Sequence, residues 1–304
     1  MINASGAEDR PRAPFESLPL GVEGLRYVVR AGLRRPLLTA AGLALLLLIL
    51  IAVLGPVFWS VSPNRINLLA ALQAPSASHP MGTDEFGRDV FARFVRGAQI
   101  SLAVGAIVIV IGAAWGGLVG LLAGVLGSWR DVLLMRTMDA ILAFPPLILA
   151  MAVTVGLGTG IVTGALGITI ASVPWYARVV RSEVVRVRNL PFVEAAVAAG
   201  ASRQWILRWH ILPAVLPTLV IQAAAAFGYS ILALAALGFV GLGAQIPTPE
   251  WGAMITDGLQ YTLTGQWWID VFPGLGLLFA ATAANVIADG FRDALDPRGE
   301  YARV

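Results

Sequence analysis

The side chains best suited to chemistry in this sequence lie in one short charged segment. His79, Asp84, Glu85 and Asp89 are close together along the chain, and imidazole with carboxylates is a combination that binds divalent metals. The whole chain has only 2 histidines and no cysteine, so a zinc or nickel site of the usual composition is not visible. We therefore favour a structural role for this segment and predict no metal ligand in it.

The same segment has the spacing of an amphipathic helix from Phe86 onward. Thr83 or Asp84 could cap its start, and the carboxylates could pair with Arg88 or Arg93 about one turn away. The polar side chains oppose an apolar face formed by Phe91, Phe94 and Val95. Such a helix is typical of a membrane interface.

Several kinds of chemistry are excluded or disfavoured by composition. All 21 basic residues are arginine, and a chain without lysine cannot contain a phosphate-binding loop of the GKS/T type. An intramembrane hydrolase needs a Ser–His or paired-Asp constellation at membrane depth, but His79 and His210 both lie outside the apolar runs. Asp289 and Asp293 follow the last apolar run beside arginines, which favours exposed ion pairs over a proton relay. We predict no catalytic residue and no cofactor bound by this chain.

The composition is that of an integral membrane protein. The chain is 58% hydrophobic and 13% charged, whereas soluble domains have about 25% charged residues. The uncharged run 140–177 would extend about 57 Å as a helix, close to two crossings of a ~30 Å hydrocarbon core. Glycines at 156, 158 and 160 interrupt it, so we predict two spans there. With the runs at 37–59, 97–129, 215–241 and 271–288, the sequence predicts an all-α protein with six transmembrane helices.

The arginines predict the orientation. Cytoplasmic loops of membrane proteins carry an excess of basic residues, and only Arg65, Arg88, Arg93 and Arg96 fall in segments that this topology places outside. Both termini are then cytoplasmic, and the basic excess needs no nucleic-acid partner. The chain divides into an N-terminal segment 1–36, a first span 37–59, an outer loop 60–96 containing the amphipathic helix, a five-helix core 97–290 and a cytoplasmic tail 291–304.

One inner segment, Phe192–Pro213, stands apart from the long apolar runs. Pro191 suits a first helical turn, and Ala195–Ala199 contains strong helix formers with little side-chain bulk. Gly200 can end a helix in the left-handed conformation, and Ser202 can cap a second helix, which Pro213 would stop or follow with another. We predict a smooth helix–turn–helix suited to docking on another protein, although spacing alone does not distinguish it from an ordinary helical cytoplasmic loop.

Four segments of the chain resemble one family. FVEAAVAAGASRQWILRWHILP is similar to the EAA loop of permease subunits from ABC importers: Glu-Ala-Ala, three residues, Gly, nine residues, then Ile-x-Leu-Pro. His210 occupies the place of that isoleucine, as in the peptide-permease version. HPMGTDEFGRDVFARFVRGAQISL resembles the family's H-P-x-G-T-D-x-x-G-R-D-x-x-S-R segment, with Ala92 for serine. ALGFVGLGAQIPTPEWGAMI and WWIDVFPGLGLL with ADGFRDALDPR resemble its C-terminal half.

The resemblance covers roughly residues 25–300 and is greatest to the second permease of dipeptide, oligopeptide or nickel importers. It implies a type I ABC permease fold in the bacterial inner membrane, a sister permease, two ATPase subunits that bind ATP and Mg, and an extracytoplasmic substrate-binding protein. The expected cargo is a short peptide, with nickel or another small solute as the alternative. An ion-driven secondary transporter would instead need charged groups within the spans and an inverted repeat.

The resemblance also assigns residues by position. The segment 191–213 would be the coupling loop, which inserts into a cleft on an ATPase subunit. Its expected coupling residues are Phe192, Glu194, Ala195, Ala196, Gly200, Ala201 and Ser202. The residues expected at the outer mouth or in contact with the binding protein are Gly82, Thr83, Asp84, Gly87, Arg88 and Asp89.

Overall fold

The computed structural model describes residues 35–295, and most of that part of the chain is helical. A single 3₁₀ turn precedes the second helix, and a π turn lies immediately before the eighth. The helices are α1 (Pro36–Phe58), α2 (Val90–Leu126), α3 (Ser128–Leu142), α4 (Pro146–Leu157), α5 (Ile161–Arg188), α6 (Pro191–Ala198), α7 (Arg203–Ile206), α8 (Leu212–Phe239), α9 (Trp251–Thr262) and α10 (Trp268–Leu295), with the 3₁₀ turn at Leu68–Ala70 and the π turn at Leu207–Ile211.

Four helices in the described part are long and apolar enough to cross a membrane. They are α1, α2, the continuous helix Arg203–Phe239 and Trp268–Gly290 of α10. The pair α3 and α4 meets the same criterion together, but the two helices are bent by 87°. By length and composition these residues give four or up to five spans, and the predicted number of six remains a prediction. The difference falls on α5, which carries four arginines within its last 11 residues, 178–188.

The helix boundaries confirm some local expectations and correct others. The uncharged run 140–177 is broken after Leu157, where Gly158 has φ +98°, as predicted. Residues 130–139, between the predicted span at 97–129 and the uncharged run 140–177, lie in helix α3. The amphipathic helix expected from Phe86 begins at Val90 and continues without interruption into the long span of α2.

The core of the bundle depends on close contact between α2 and α5. A Cβ added at Gly116 of α2 would lie only 2.5 Å from the Val173 carbonyl oxygen of α5, and one at Gly124 would lie 2.6 Å from a Val184 methyl group. Glycine at such spacing lets two backbones approach closely in lipid. The glycines of this span therefore have a packing role.

Contacts between the helices define two opposite faces of the bundle. On the face built by residues 60–93, Trp268 at the start of α10 donates a hydrogen bond to the Thr83 carbonyl at 3.0 Å. The other face is built by α6 and α7, and Arg188 at the end of α5 binds the Gly124 carbonyl near it at 3.2 Å. We call these the 60–93 face and the α6 face. The two segments singled out in the sequence lie on opposite faces.

Candidate functional site

The segment 191–206 forms the predicted helix–turn–helix, which we call the elbow. Helix α6 has Pro191 in its first turn. Gly200 then takes φ +82°, and the Ala201 amide donates to the Ala196 carbonyl at 3.0 Å, closing a glycine-terminated helix end. The Ser202 hydroxyl accepts from the Trp205 amide at 3.2 Å and caps α7. The residue types thus produce the turn that was expected of them.

The inner side of the elbow is fastened to two long helices. Val193 of α6, Ile206 of α7 and Ile211 of the π turn are 2%, 7% and 3% exposed. They form one hydrophobic cluster with residues of α5 and α8, namely Val180, Val184, Val187 and Val215. Close-packed interiors deform little, so the elbow cannot move without displacing the ends of α5 and α8.

The outer side of the elbow is open. Of the expected coupling residues, Ala196 and Ala201 are half-buried, and the exposed ones are Phe192, Glu194, Ala195, Gly200 and Ser202. His210, which departs from the general family pattern, lies between two aromatic rings, 5.5 Å from Phe192 and 4.9 Å from Trp205 by ring centroids. This contact connects the two arms of the elbow, and it accounts for an aromatic ring at that position.

The second segment is a buried ion-pair network on the 60–93 face. Arg88 donates from Nε to Asp84 Oδ2 at 2.6 Å and from Nη2 to Glu85 Oε1 at 3.1 Å. Arg93 approaches the same Asp84 oxygen at 3.4 Å. The side chains of Asp84, Arg88 and Arg93 are at most 5% exposed. Burial, with Asp84 nearby as the next cause, raises the pKa of Glu85.

Asp89 caps α2, the position for which we expected Thr83 or Asp84. Its Oδ1 accepts from the Ala92 amide at 2.7 Å and from Trp59 Nε1 at 3.2 Å. Its Oδ2 lies 2.8 Å from His79 Nδ1. Asp89 therefore joins the end of α1 to the start of α2. Within residues 35–295, no group of three or more potential ligand side chains could hold a metal ion.

The expected place of this segment at the outer mouth or in contact with the binding protein stays a prediction. Thr83, Asp84, Arg88 and Asp89 are 0%, 2%, 4% and 2% exposed, so their side chains offer little surface to another protein. The two glycines support the chain geometry instead: Gly82 and Gly87 have φ +74° and +66°, and a Cβ on Gly87 would overlap the Asn67 carbonyl. The six residues hold the shape of the 60–93 face.

Glu250 is a further buried acid that holds helices together, since it joins the start of α9 to α2. Glu250 was not singled out in the sequence. It is 0% exposed, caps α9 by accepting from the Gly252 and Ala253 amides, and accepts from the Ser101 hydroxyl at 3.1 Å. Burial raises its pKa. An acid directly after the Pro-Thr-Pro of residues 247–249 is a helix-start signal that could have revealed the cap, although not the link to α2.

Comparisons with known proteins match most of the chain. Residues 116–300 match the family described as "Binding-protein-dependent transport system inner membrane component". The chain is 43% identical over 263 residues to the probable D,D-dipeptide transport system permease protein DdpC of Escherichia coli K12, covering 86% of this chain and 88% of that protein. It is 44% identical over 250 residues to the dipeptide transport system permease protein DppC of Alkalihalophilus pseudofirmus, covering 82% of each.

A third relative and one solved structure extend the comparison. The glutathione transport system permease protein GsiD of Pectobacterium atrosepticum is 38% identical over 275 residues, 88% of this chain and 89% of that protein. A chain of the MetNI methionine ABC transporter, in an inward-facing conformation, superimposes with a TM-score of 0.53 at 24% identity, covering 67% of this chain and 96% of that one. At this identity the likeness concerns the fold alone.

Proposed function

This chain belongs to the family of binding-protein-dependent transport system inner membrane components, and from that premise we propose that it is the peptide permease subunit of an ATP-driven ABC importer. Its fold is the all-helical type I ABC permease fold. The chain provides one half of the membrane path and transmits motion to it. ATP and Mg bind to partner subunits, which carry out the hydrolysis.

The elbow is the observation that supports this proposal most directly. Its exposed alanines offer little steric hindrance to a docking partner, and its buried side is fixed to α5 and α8. An ATPase that binds the exposed side of the elbow during its cycle would move α5 and α8 together. The elbow would then transmit motion from the ATPase to the membrane helices. This role requires close packing and a partner protein, and it requires no catalytic group on the elbow.

The peptide cargo is proposed from the relatives. The three proteins described above are named for transport of D,D-dipeptides, dipeptides and glutathione, which are all short peptides. A nickel permease of the same family is the alternative.

We also propose a location and an assembly. The α6 face is cytoplasmic and the 60–93 face is extracytoplasmic, in a bacterial inner membrane crossed six times, with α5 as one of the spans. The partners are a sister permease, two ATPase subunits, one for each elbow, and an external binding protein that delivers the peptide.

The test is purification in mild detergent followed by transport in proteoliposomes. We expect the chain to co-purify with a sister permease and two ATPases, and the assembly to take up radiolabelled dipeptide only with ATP and a binding protein. Glu194→Lys should lower uptake at least about tenfold, since a misplaced charge in a protein interface costs several kcal/mol. Glu194→Gln, which keeps the shape, is the matched variant and should lose less.

Two results would refute the proposal. One is peptide uptake by the isolated chain without ATP, which would make it a secondary transporter. The other is an assembly that takes up nickel and not peptide, which would leave the permease role in place and change the cargo.

A further inference from the structure

A cavity of about 440 Å³ lies between α4, α5 and α8, apart from both segments described above. Small-molecule sites typically have volumes of roughly 300–1,000 Å³. Its α8 wall extends from Gln222 to Ala233, roughly 16 Å at 1.5 Å per residue. Because α8 starts at Leu212, beside the elbow, the cavity begins roughly 15 Å from the α6 face and reaches beyond the middle of the helix.

The lining is mainly aliphatic, but it includes hydrogen-bonding groups at depth. Tyr176 is 1% exposed, and its hydroxyl has no hydrogen-bond partner among the side chains and backbone groups that the structure describes. The half-buried Gln222 amide and the hydroxyl of Tyr229, which is 52% exposed, also line the cavity without a partner among the described side chains. An unpaired hydroxyl at a buried position such as Tyr176 is costly, and a few polar groups among apolar walls are typical of ligand sites.

The Tyr176 ring is held by the close contact between α2 and α5. A Cβ added at Gly116 would lie 2.6 Å from Tyr176 Cβ, and one added at Gly112 would lie 3.4 Å from its ring atom Cε2. The two glycines of α2 leave room for the base and one edge of the ring. The hydroxyl is therefore positioned by packing before any ligand arrives, as an effective binding group requires.

Among the side chains that the structure describes, which leave out those of residues 291 and 293–295, Arg292 near the end of α10 is the charged one that lines the cavity. It is exposed and forms no ion pair with another of these described side chains. The cavity thus combines a cation at its α6-face end with neutral hydrogen-bonding groups deeper inside. An occupant with one anionic group and polar, uncharged groups along its length matches this distribution.

We propose that this cavity binds a short peptide in transit, with the peptide carboxylate at Arg292 and its backbone groups at Gln222, Tyr229 and Tyr176. The inference rests on the proposed function and adds a site to it. Hydrogen bonds to the backbone are shared by all peptides, so such a site accepts different side chains within one cargo class. A lipid acyl chain would leave the three polar groups unpaired.

The experiment uses the complete importer in proteoliposomes, with radiolabelled alanylalanine and its C-terminal amide as probes. Arg292→Gln should lower the ratio of acid to amide uptake about tenfold, the effect of one hydrogen bond to a charged group. The binding protein is the same in both experiments. Comparing the ratio with that of the unmodified importer therefore cancels any preference of the binding protein for the acid or the amide. Arg136→Gln, on an arginine with a 79% exposed side chain in α3, is the control and should leave the ratio unchanged.

A second pair of variants tests the deep end. Tyr176→Phe should lower uptake of both probes about threefold, because it removes one neutral hydrogen bond. Tyr261→Phe makes the same chemical change in α9, outside the cavity, and should have no effect. Photocrosslinking from p-benzoylphenylalanine at position 229 should attach the labelled peptide during the ATP cycle.

The outcomes separate this proposal from the one on which it rests. If the unmodified importer takes up neither probe, the proposed function fails. If it takes up alanylalanine but Arg292→Gln leaves the ratio unchanged, or the crosslinked product is phospholipid and not peptide, the cavity proposal fails while the permease role stands.

Discussion

At the scale of single residues, Gly200 is the position where backbone conformation alone decides the outcome. Its φ is +82°, and no atom lies within 4 Å of the place where a Cβ would be. A larger side chain would fit in the available space. The left-handed backbone conformation at this position, however, costs most L-residues roughly 1–2 kcal/mol. A loss of activity on substitution of Gly200 would therefore come from a changed turn and not from a steric clash of the new side chain.

Gly200→Val is expected to misdirect the two arms of the elbow and to reduce ATP-driven uptake strongly while membrane insertion stays normal. Gly200→Asn is the matched variant, because asparagine tolerates the left-handed conformation, and it should retain most of the activity. Equal uptake by both variants, measured in proteoliposomes, would show that the turn is not needed for coupling.

Glu85 allows a prediction about pH. Its Oε2 is buried without a hydrogen-bond partner among the described residues, and burial raises its pKa above the ordinary 4.5. The folded protein thus binds this proton more tightly than the unfolded chain. The corresponding stability is present below pH 4.5 and is lost as the pH rises through the raised pKa.

Glu85→Gln removes the ionised form and keeps the shape of the side chain. We expect it to raise the Tm of the detergent-solubilised protein at about pH 7.5 and to have less effect at about pH 4.5. Glu194→Gln, on the exposed carboxyl group of the elbow, should change Tm little at either pH. A Tm gain for Glu85→Gln that is larger in acid would reverse the sign and contradict the account.

At the scale of elements, the π turn before α8 is a feature that the sequence did not predict. Pro213 was expected to stop a helix or start another, yet the helix Arg203–Phe239 continues past it. In an α-helix the proline ring would clash with the carbonyl of Trp209. The π turn Leu207–Ile211, in which the Leu212 amide donates to the Leu207 carbonyl, includes Trp209. The wider turn therefore falls at the place where the clash would occur in an α-helix.

Deleting Trp209 should convert the π turn to ordinary α-helix, in which the Pro213 ring clashes with the carbonyl four residues before it and bends the elbow away from its place on α8. Uptake driven by ATP should then be lost, although α8 remains long enough to span. Trp209→Ala removes the same side chain, which is 61% exposed, without changing the register, and should retain activity. Loss of uptake in both variants would assign the effect to the tryptophan.

What could be predicted among the elements depended on local residue types. Charge-free runs indicated α1 and α2, glycines marked the break after Leu157, and alanines with Gly200 and Ser202 specified the elbow. The start of α2 at Val90 was missed because its cap, Asp89, is fixed by Trp59 and His79. Likewise, the burial of residues 83–89 depends on Trp268 and other side chains far along the chain, which no local pattern reveals.

At the scale of the whole molecule, the absence of cysteine in the sequence permits a direct test of orientation. Leu69 on the 60–93 face is 96% exposed, and Val197 on the α6 face is 59% exposed. Spheroplasts should label Leu69→Cys with an impermeant maleimide, and Val197→Cys should react only after permeabilisation. Val90→Cys, at a fully buried position, is the accessibility control. Labelling of both exposed positions from one side would mean an even number of spans between them and would exclude the three that the proposed topology has there.

Helix α2 gives the molecule a stiff rod between its two faces. Its 37 residues measure about 55 Å; one end is clamped by Asp89, and the other lies against α5, which supports the elbow. If α2 pivots near its centre, an inward push of ~2 Å at the α6 face produces a displacement of similar size and opposite direction at the 60–93 face. One movement of the helix would then close one side of the bundle while it opens the other.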